Sequence, residues 1–214
     1  MTLPFAEQQP CRTHNQDIEI PFEGFGGTIS WTDIFGNTGP VDIEIGCGKG
    51  RYIIAAARCN PRINYFGIER SAKYFNITKT RALKAGLPNI RLLSAEAGFF
   101  VQTNVPDNSV QSYHIYFPDP WPKKRHNKRR LVNPLFVNHL HRTLIPGGKF
   151  FFATDFVEYF NVMVSVAGAC AGLRQIKHTV LQPGDTNPEE APTNYERKYL
   201  LEGRHIFKAA YEKG

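Results

Sequence analysis

The chain has 214 residues, 42% apolar, 13% aromatic and 21% charged, which excludes a disordered chain and suits one α/β domain better than two. Its net charge of +7 is gathered in one place: no acidic residue stands between Asp119 and Asp155, where Lys123, Lys124, Arg125, Lys128, Arg129, Arg130, Arg142 and Lys149 lie. The remainder is close to neutral, so the pattern points to an anionic partner that docks at a single zone.

Residues 1–40 are rich in Gly and Pro and poor in periodicity, and read as an irregular N-terminal arm before a domain spanning 41–214. Val41 to Ile45 is a strand that runs into glycines, and Gly50 to Arg58 a helix closed by Asn60-Pro61. Tyr65 to Glu69 is a second strand. Ser71 then opens a helix whose apolar face is Phe75, Thr78, Ala82 and Ala85, and Gly86 and Pro88 stop it. Strands follow at Ile90 to Leu93 and Val110 to Phe117, a helix at Phe136 to Leu144, a strand at Lys149 to Ala153 and a helix at Asp155 to Ala171. Gln182 to Pro192 reads as a mobile loop. Alternating β and α elements imply a parallel sheet with helices on both faces.

Cys11, Cys47, Cys59 and Cys170 form no C-x-x-C pair, which predicts neither a zinc knuckle nor a thioredoxin motif and fits a reducing, cytoplasmic setting. The first residues carry no basic and apolar leader pattern, and no apolar run is long enough to span a membrane. No metal site is expected; the seven histidines are scattered.

The run Glu44-Ile45-Gly46-Cys47-Gly48-Lys49-Gly50 follows a strand and opens a helix. Gly46 and Gly48 permit positive φ and close approach of a ligand to the backbone, and the helix aims free N–H groups at it. Arg51 breaks the G-x-G-x-x-G dinucleotide spacing, and no Gly-Lys-Ser/Thr ending makes it a phosphate loop. Glu44 would repel a phosphate but attract an ammonium, and Glu69, ending the second strand, can accept from both ribose hydroxyls. Together these favour S-adenosylmethionine over a dinucleotide. The competing reading is a plain β–α turn bearing two solvated glutamates.

The fourth strand ends in Phe117-Pro118-Asp119-Pro120-Trp121-Pro122. Three prolines stiffen the segment, so Asp119 and Trp121 are held in place at little ordering cost. Asp119 can accept two hydrogen bonds from a guanine edge and Trp121 offers a stacking face. A rigid turn with an exposed Asp and a packed Trp is the alternative. The following basic run, with Lys124, Arg125, Lys128, Arg129 and Arg130, suits a grip on an RNA backbone.

These residues resemble the tRNA (guanine-N7-)-methyltransferases of the bacterial single-subunit type, over about Trp31 to Tyr211. The matching pieces are Phe35-Gly36-Asn37, the glycine loop, Phe117 to Trp121 with Lys123 and Arg125 to Arg130, Thr154-Asp155, and Thr193-x-x-Glu196. The resemblance implies a Rossmann-like class I fold: a seven-stranded, mostly parallel sheet whose last strand, His205 to Tyr211, is antiparallel. It implies methyl transfer from S-adenosylmethionine to N7 of a variable-loop guanosine in tRNA. Glu44, Gly46, Gly48, Glu69, Glu96 and Asp119 would line the cofactor side, with Glu96 standing where the family commonly has Asp or Asn. Lys123, Asp155, Thr193 and Glu196 would face the guanosine. Guanine N7 has a lone pair and no proton to lose, so no general base is needed; Asp119 is the candidate to stabilise the purine cation and place the base. A methyltransferase for another target, or a nucleic-acid-binding module with a vestigial cofactor loop, are the rival readings.

Overall fold

The computed structural model describes residues 18–22, 26–185, 187 and 192–214. The elements in chain order are β1 (Glu19–Ile20), α1 (Trp31–Phe35), β2 (Val41–Ile45), α2 (Arg51–Cys59), β3 (Asn64–Ile68), α3 (Ala72–Ala85), β4 (Ile90–Leu93), α4 (Ala97–Thr103), β5 (Val110–Tyr116), α5 (Pro134–Thr143), β6 (Leu144–Thr154), α6 (Val157–Gly168), β7 (Leu173–Leu181), α7 (Asn194–Leu201) and β8 (Ile206–Lys213). The strands form one sheet in the order β1-β4-β3-β2-β5-β6-β8-β7, and β8 alone runs antiparallel to its neighbours. The Rossmann-like order and the antiparallel last strand are as expected. An eighth strand comes from the Gly/Pro-rich arm, where Glu19–Ile20 pairs with β4 and Ile18 and Ile20 are buried.

That arm is therefore not irregular throughout, although residues 1–17 and 23–25 lie outside the described residues. Glu19 forms an ion pair with Lys79 of α3. Ser30 caps α1 by accepting from the Asp33 N–H at 3.2 Å, and Gly36 closes it in the left-handed conformation. The sequence reading also missed α4, β7 and α7. Residues 186 and 188–191 of the expected 182–192 loop lie outside the described residues.

Helices cover both faces, because each strand of the parallel sheet needs apolar cover on either side. On one face Val41, Ile43 and Ile45 pack with Phe100, Val101, Phe136, Leu140, Phe160 and Met163 of α4, α5 and α6. On the other, Ile53 and Ala57 of α2 meet Phe75 and Ala82 of α3. Leu200 of α7 packs with Ala153 and Ile206. At the centre of the larger cluster Phe66 is fully buried, stacked on Phe100 at 5.6 Å and edge-on to Trp31 at 5.2 Å. Phe66→Ala removes both ring contacts and leaves a cavity. It should cost about 3–5 kcal/mol of unfolding free energy in a urea titration.

Candidate active site

The ends of β2, β3, β4 and β5 open on a cavity of about 770 Å³. Its wall includes Ile45, Gly46 and Gly48 after β2, Glu69 to Ser71 after β3, Ala95 to Ala97 after β4, and Tyr116 to Asp119 with Trp121 after β5. Tyr74, Arg129, Leu131 and Tyr195 complete it. Gly46, Gly48, Glu69, Glu96 and Asp119, which the sequence singled out, therefore share one space.

The glycine loop is held by its own backbone and by α3. The Gly46 N–H donates to the Ile68 carbonyl at 2.8 Å, and the Thr78 hydroxyl donates to the Gly48 carbonyl at 2.6 Å. Gly46 and Gly48 have φ of 74° and 53°, and a Cβ on Gly46 would project into open space. Both facts suit a ligand lying directly against the main chain. Glu69 fixes the loop from the next strand. One carboxylate oxygen accepts from the Gly48 N–H at 2.9 Å and the other from the Ser71 N–H at 2.8 Å. Ser71 sits at the helix-cap position as expected, but its hydroxyl makes no capping bond. Each Glu69 oxygen keeps a lone pair for a ligand hydroxyl.

Glu44 lies behind the cavity wall, 4% exposed. It takes a hydrogen bond from the Ile53 N–H at the start of α2, while its Oε2 has no partner among the described residues. Burial pushes its pKa up to about 8, helped by the charge of Glu69 and opposed by the Ile53 bond. Leaving a buried carboxyl oxygen without a partner costs free energy, which a hydrogen-bond donor reaching it would relieve. Glu96 lines the cavity as well, and its carboxylate also caps α4, accepting from Gly98 N–H at 3.0 Å and Phe99 N–H at 2.7 Å. Each of its oxygens, like those of Glu69, keeps a second lone pair.

Asp119 is exposed on the proline segment, whose flanking residues Phe117 and Trp121 have φ of 53° and 44°. Positive φ at two aromatic residues is strain, and such strain gathers where a loop must hold a set shape. Arg130 holds that shape. The sequence placed it among the backbone-gripping cations, but it is 9% exposed, donates from Nε to the Pro120 carbonyl at 2.8 Å and lies over the Tyr159 ring at 4.8 Å. Lys123, Lys124, Arg125, Lys128 and Arg129 are exposed, the last four on a six-residue 3-10 helix, Lys124–Arg129. Arg129 also covers one face of Trp121 at 4.9 Å, and His126 meets that ring edge-on at 5.8 Å. Trp121 thus carries Arg129 on one face and still lines the cavity.

The four residues expected to face the guanosine do not line the cavity. Lys123 stands at the head of the 3-10 helix. Asp155 accepts from Arg204 at 2.8 Å. Thr193 caps α7, its hydroxyl accepting from the Glu196 N–H at 3.0 Å. Glu196 is 1% exposed and paired with Lys208 of β8. Thr193-x-x-Glu196 is at once a helix cap and a buried ion-pair anchor, and Tyr195 between them reaches the cavity.

A buried polar layer went unread. Tyr52 of α2 bonds His114 Nδ1 at 2.9 Å, the same nitrogen lies 3.0 Å from the Tyr116 hydroxyl, and His114 Nε2 meets Asp42 at 3.2 Å. The signal was present as polar residues at every second position: Asp42 and Glu44 on β2, and Ser112, His114 and Tyr116 on β5. Among the described residues no group of three or more His, Cys, Asp or Glu is placed to hold a metal, and no helix is long and apolar enough to cross a membrane.

A methyltransferase family, described as "Putative methyltransferase", matches residues 38–209. A tRNA (guanine-N(7)-)-methyltransferase of Geobacter metallireducens is 37% identical over 203 residues, 92% of this chain and 95% of that protein. A protein of the same name from Myxococcus xanthus is 35% identical, covering 84% and 86%. Among solved structures, an antibiotic-related methyltransferase superposes with a TM-score of 0.64 at 19% identity, over 92% of this chain and 97% of that one, which speaks to the fold alone.

Arg130→Ala should lower the melting temperature by several degrees, since it unpins Pro120 and strips Tyr159, whereas Arg129→Ala should leave it within about a degree. Glu44 gives a pH test. Its folded pKa of about 8 lies above the ordinary 4.5, so the stability it contributes is complete below that ordinary value and is lost as pH rises through about 8. Relative to wild type, Glu44→Gln should therefore gain more than about 1 kcal/mol between pH 6 and pH 9 in denaturant titrations.

Proposed function

The chain belongs to the tRNA (guanine-N(7)-)-methyltransferase family, and from that premise we propose that it methylates N7 of the variable-loop guanosine of tRNA, using S-adenosylmethionine. The observation that carries this reading is that Asp119 and the glycine loop open on the same cavity.

The residues fit the methyl donor. The orphan Glu44 oxygen suits its ammonium, and the open space beside Gly46 suits a ligand against the backbone. The Glu69 carboxylate, fixed by two backbone N–H groups, suits its ribose hydroxyls. When bound, S-adenosylmethionine supplies an electrophilic methyl on a sulfonium sulfur. The chain's own residues then have three tasks. The glycine loop and Glu69 hold one partner still. Asp119 places the purine and balances the positive charge that grows on it as N7 is alkylated. Lys123, Lys124, Arg125, Lys128 and Arg129 hold tRNA phosphates, and Arg130 keeps the Asp119 segment rigid. No side chain has to remove a proton, because N7 carries none.

Labelled methyl transfer to bulk tRNA, followed by nucleoside analysis, tests the reading. Wild type should form 7-methylguanosine, and Asp119→Ala should be slower by about a hundredfold or more while remaining folded. Near-normal turnover in that variant overturns the role of Asp119. Replacing Lys128 and Arg129 together by Ala should flatten the salt dependence of tRNA binding by about one to two in log–log slope. An unchanged slope removes them from the phosphate contacts.

A further inference from the structure

Five aromatic rings stand on the described cavity wall: Tyr74, Tyr116, Phe117, Trp121 and Tyr195. A target purine needs a ring face that is exposed, held still and close to Asp119. Trp121 already carries Arg129 on one face and His126 at its edge, and Tyr116 is tied into the His114 layer. Phe117 lies partly buried beneath Tyr195 and Tyr199, with centroids 6.1 and 5.5 Å away. Tyr195 is 43% exposed, and its ring rests on Phe117, two residues before Asp119, and beside Tyr199 at 6.0 Å.

Its mounting is unusually firm for an exposed ring. It sits in the first turn of α7, between the Thr193 cap and the buried Glu196–Lys208 pair. Its hydroxyl interacts with that of Tyr74 on α3 and senses the charges of both Asp119 and Glu69, which together with burial raise its pKa. The ring therefore shares one cavity wall with the carboxylate assigned to the cofactor ribose and the one assigned to the base.

We propose that Tyr195 is the platform on which the target guanine stacks, and that Thr193 and Glu196 are positioning residues acting through it instead of contacting the base. This rests on the methyl transfer to guanosine argued above, and it assigns to Tyr195 the contact that the sequence pattern gave to its neighbours.

The test is steady-state methylation of tRNA by wild type, Tyr195→Ala, Tyr195→Phe, Thr193→Ala and the Tyr195→Ala/Thr193→Ala double variant, with calorimetric titration of S-adenosylhomocysteine into each. Tyr195→Ala should lower kcat/KM for tRNA about tenfold or more, the size of a lost base–aromatic stack, and leave S-adenosylhomocysteine affinity unchanged. Tyr195→Phe, which keeps the ring, should recover most of that loss. Thr193→Ala should impair the wild type but add little to Tyr195→Ala, because both act on one contact. Three results overturn the proposal: wild-type kcat/KM in Tyr195→Ala; weakened S-adenosylhomocysteine binding in that variant, which makes the ring a cofactor cover; or an additive Thr193→Ala loss, which makes Thr193 a direct contact. Wild-type protein that forms no 7-methylguanosine brings down the reaction itself, a separate outcome from methylation that Tyr195→Ala leaves unimpaired.

Discussion

The parallel pairing of β2 with β5, with Ile45 opposite Ile115, is the constraint on which the site depends. Both strands run the same way and end together, so the glycine bend after Ile45 and the proline segment after Tyr116 leave the sheet at one edge. The chain fills the sheet outward from this pair, toward β3 and β4 on one side and β6 on the other, and that change of direction opens the crevice. Strand ends further out add Glu69 and the Glu96 turn to the same rim. Were β2 and β5 separated, the carboxylate assigned to the purine and the loop assigned to the methyl donor would not share a cavity.

The second feature is a polar layer inside an otherwise apolar sandwich. Asp42, Glu44, Tyr52, His114 and Tyr116 lie between the sheet and α2, and burying them costs free energy unless each finds a partner. His114 satisfies most of the group, bonding both tyrosines and Asp42 while stacking flat on Phe151 at 5.1 Å. Glu44 is left with an orphan oxygen beside the glycine loop. Leaving that one position unsatisfied is intelligible if a ligand completes it, and the rigid layer around it keeps the carboxyl aimed.

Sequence pattern made the centre of this fold legible and its periphery opaque. β2, the glycines and α2 could be read because a strand run, a glycine cluster and a helical apolar stripe follow one another without ambiguity. β7 could not, since it is an edge strand paired only with β8 and largely exposed, so no alternation marks it. α4 is seven residues long and begins from a Glu cap that resembles a ligand contact. The site divides in the same way. Asp119 was findable because prolines announce a fixed loop, whereas Arg130 looks like its basic neighbours until Tyr159 and the Pro120 carbonyl come to meet it. Thr193 and Glu196 were found for their motif, but their capping and ion pairing belong to tertiary structure, and Tyr195 between them carried no signal of its own.

Seating of the methyl donor at the shared rim depends on the bend at Gly46. Calorimetric titration of S-adenosylhomocysteine into wild type and into Gly46→Val, with circular dichroism to check that the variant is folded, tests it most directly. The wild type should show one binding site per chain and the variant, whose side chain would project into the cavity, none detectable. A folded Gly46→Val protein that binds S-adenosylhomocysteine as tightly as wild type would contradict it.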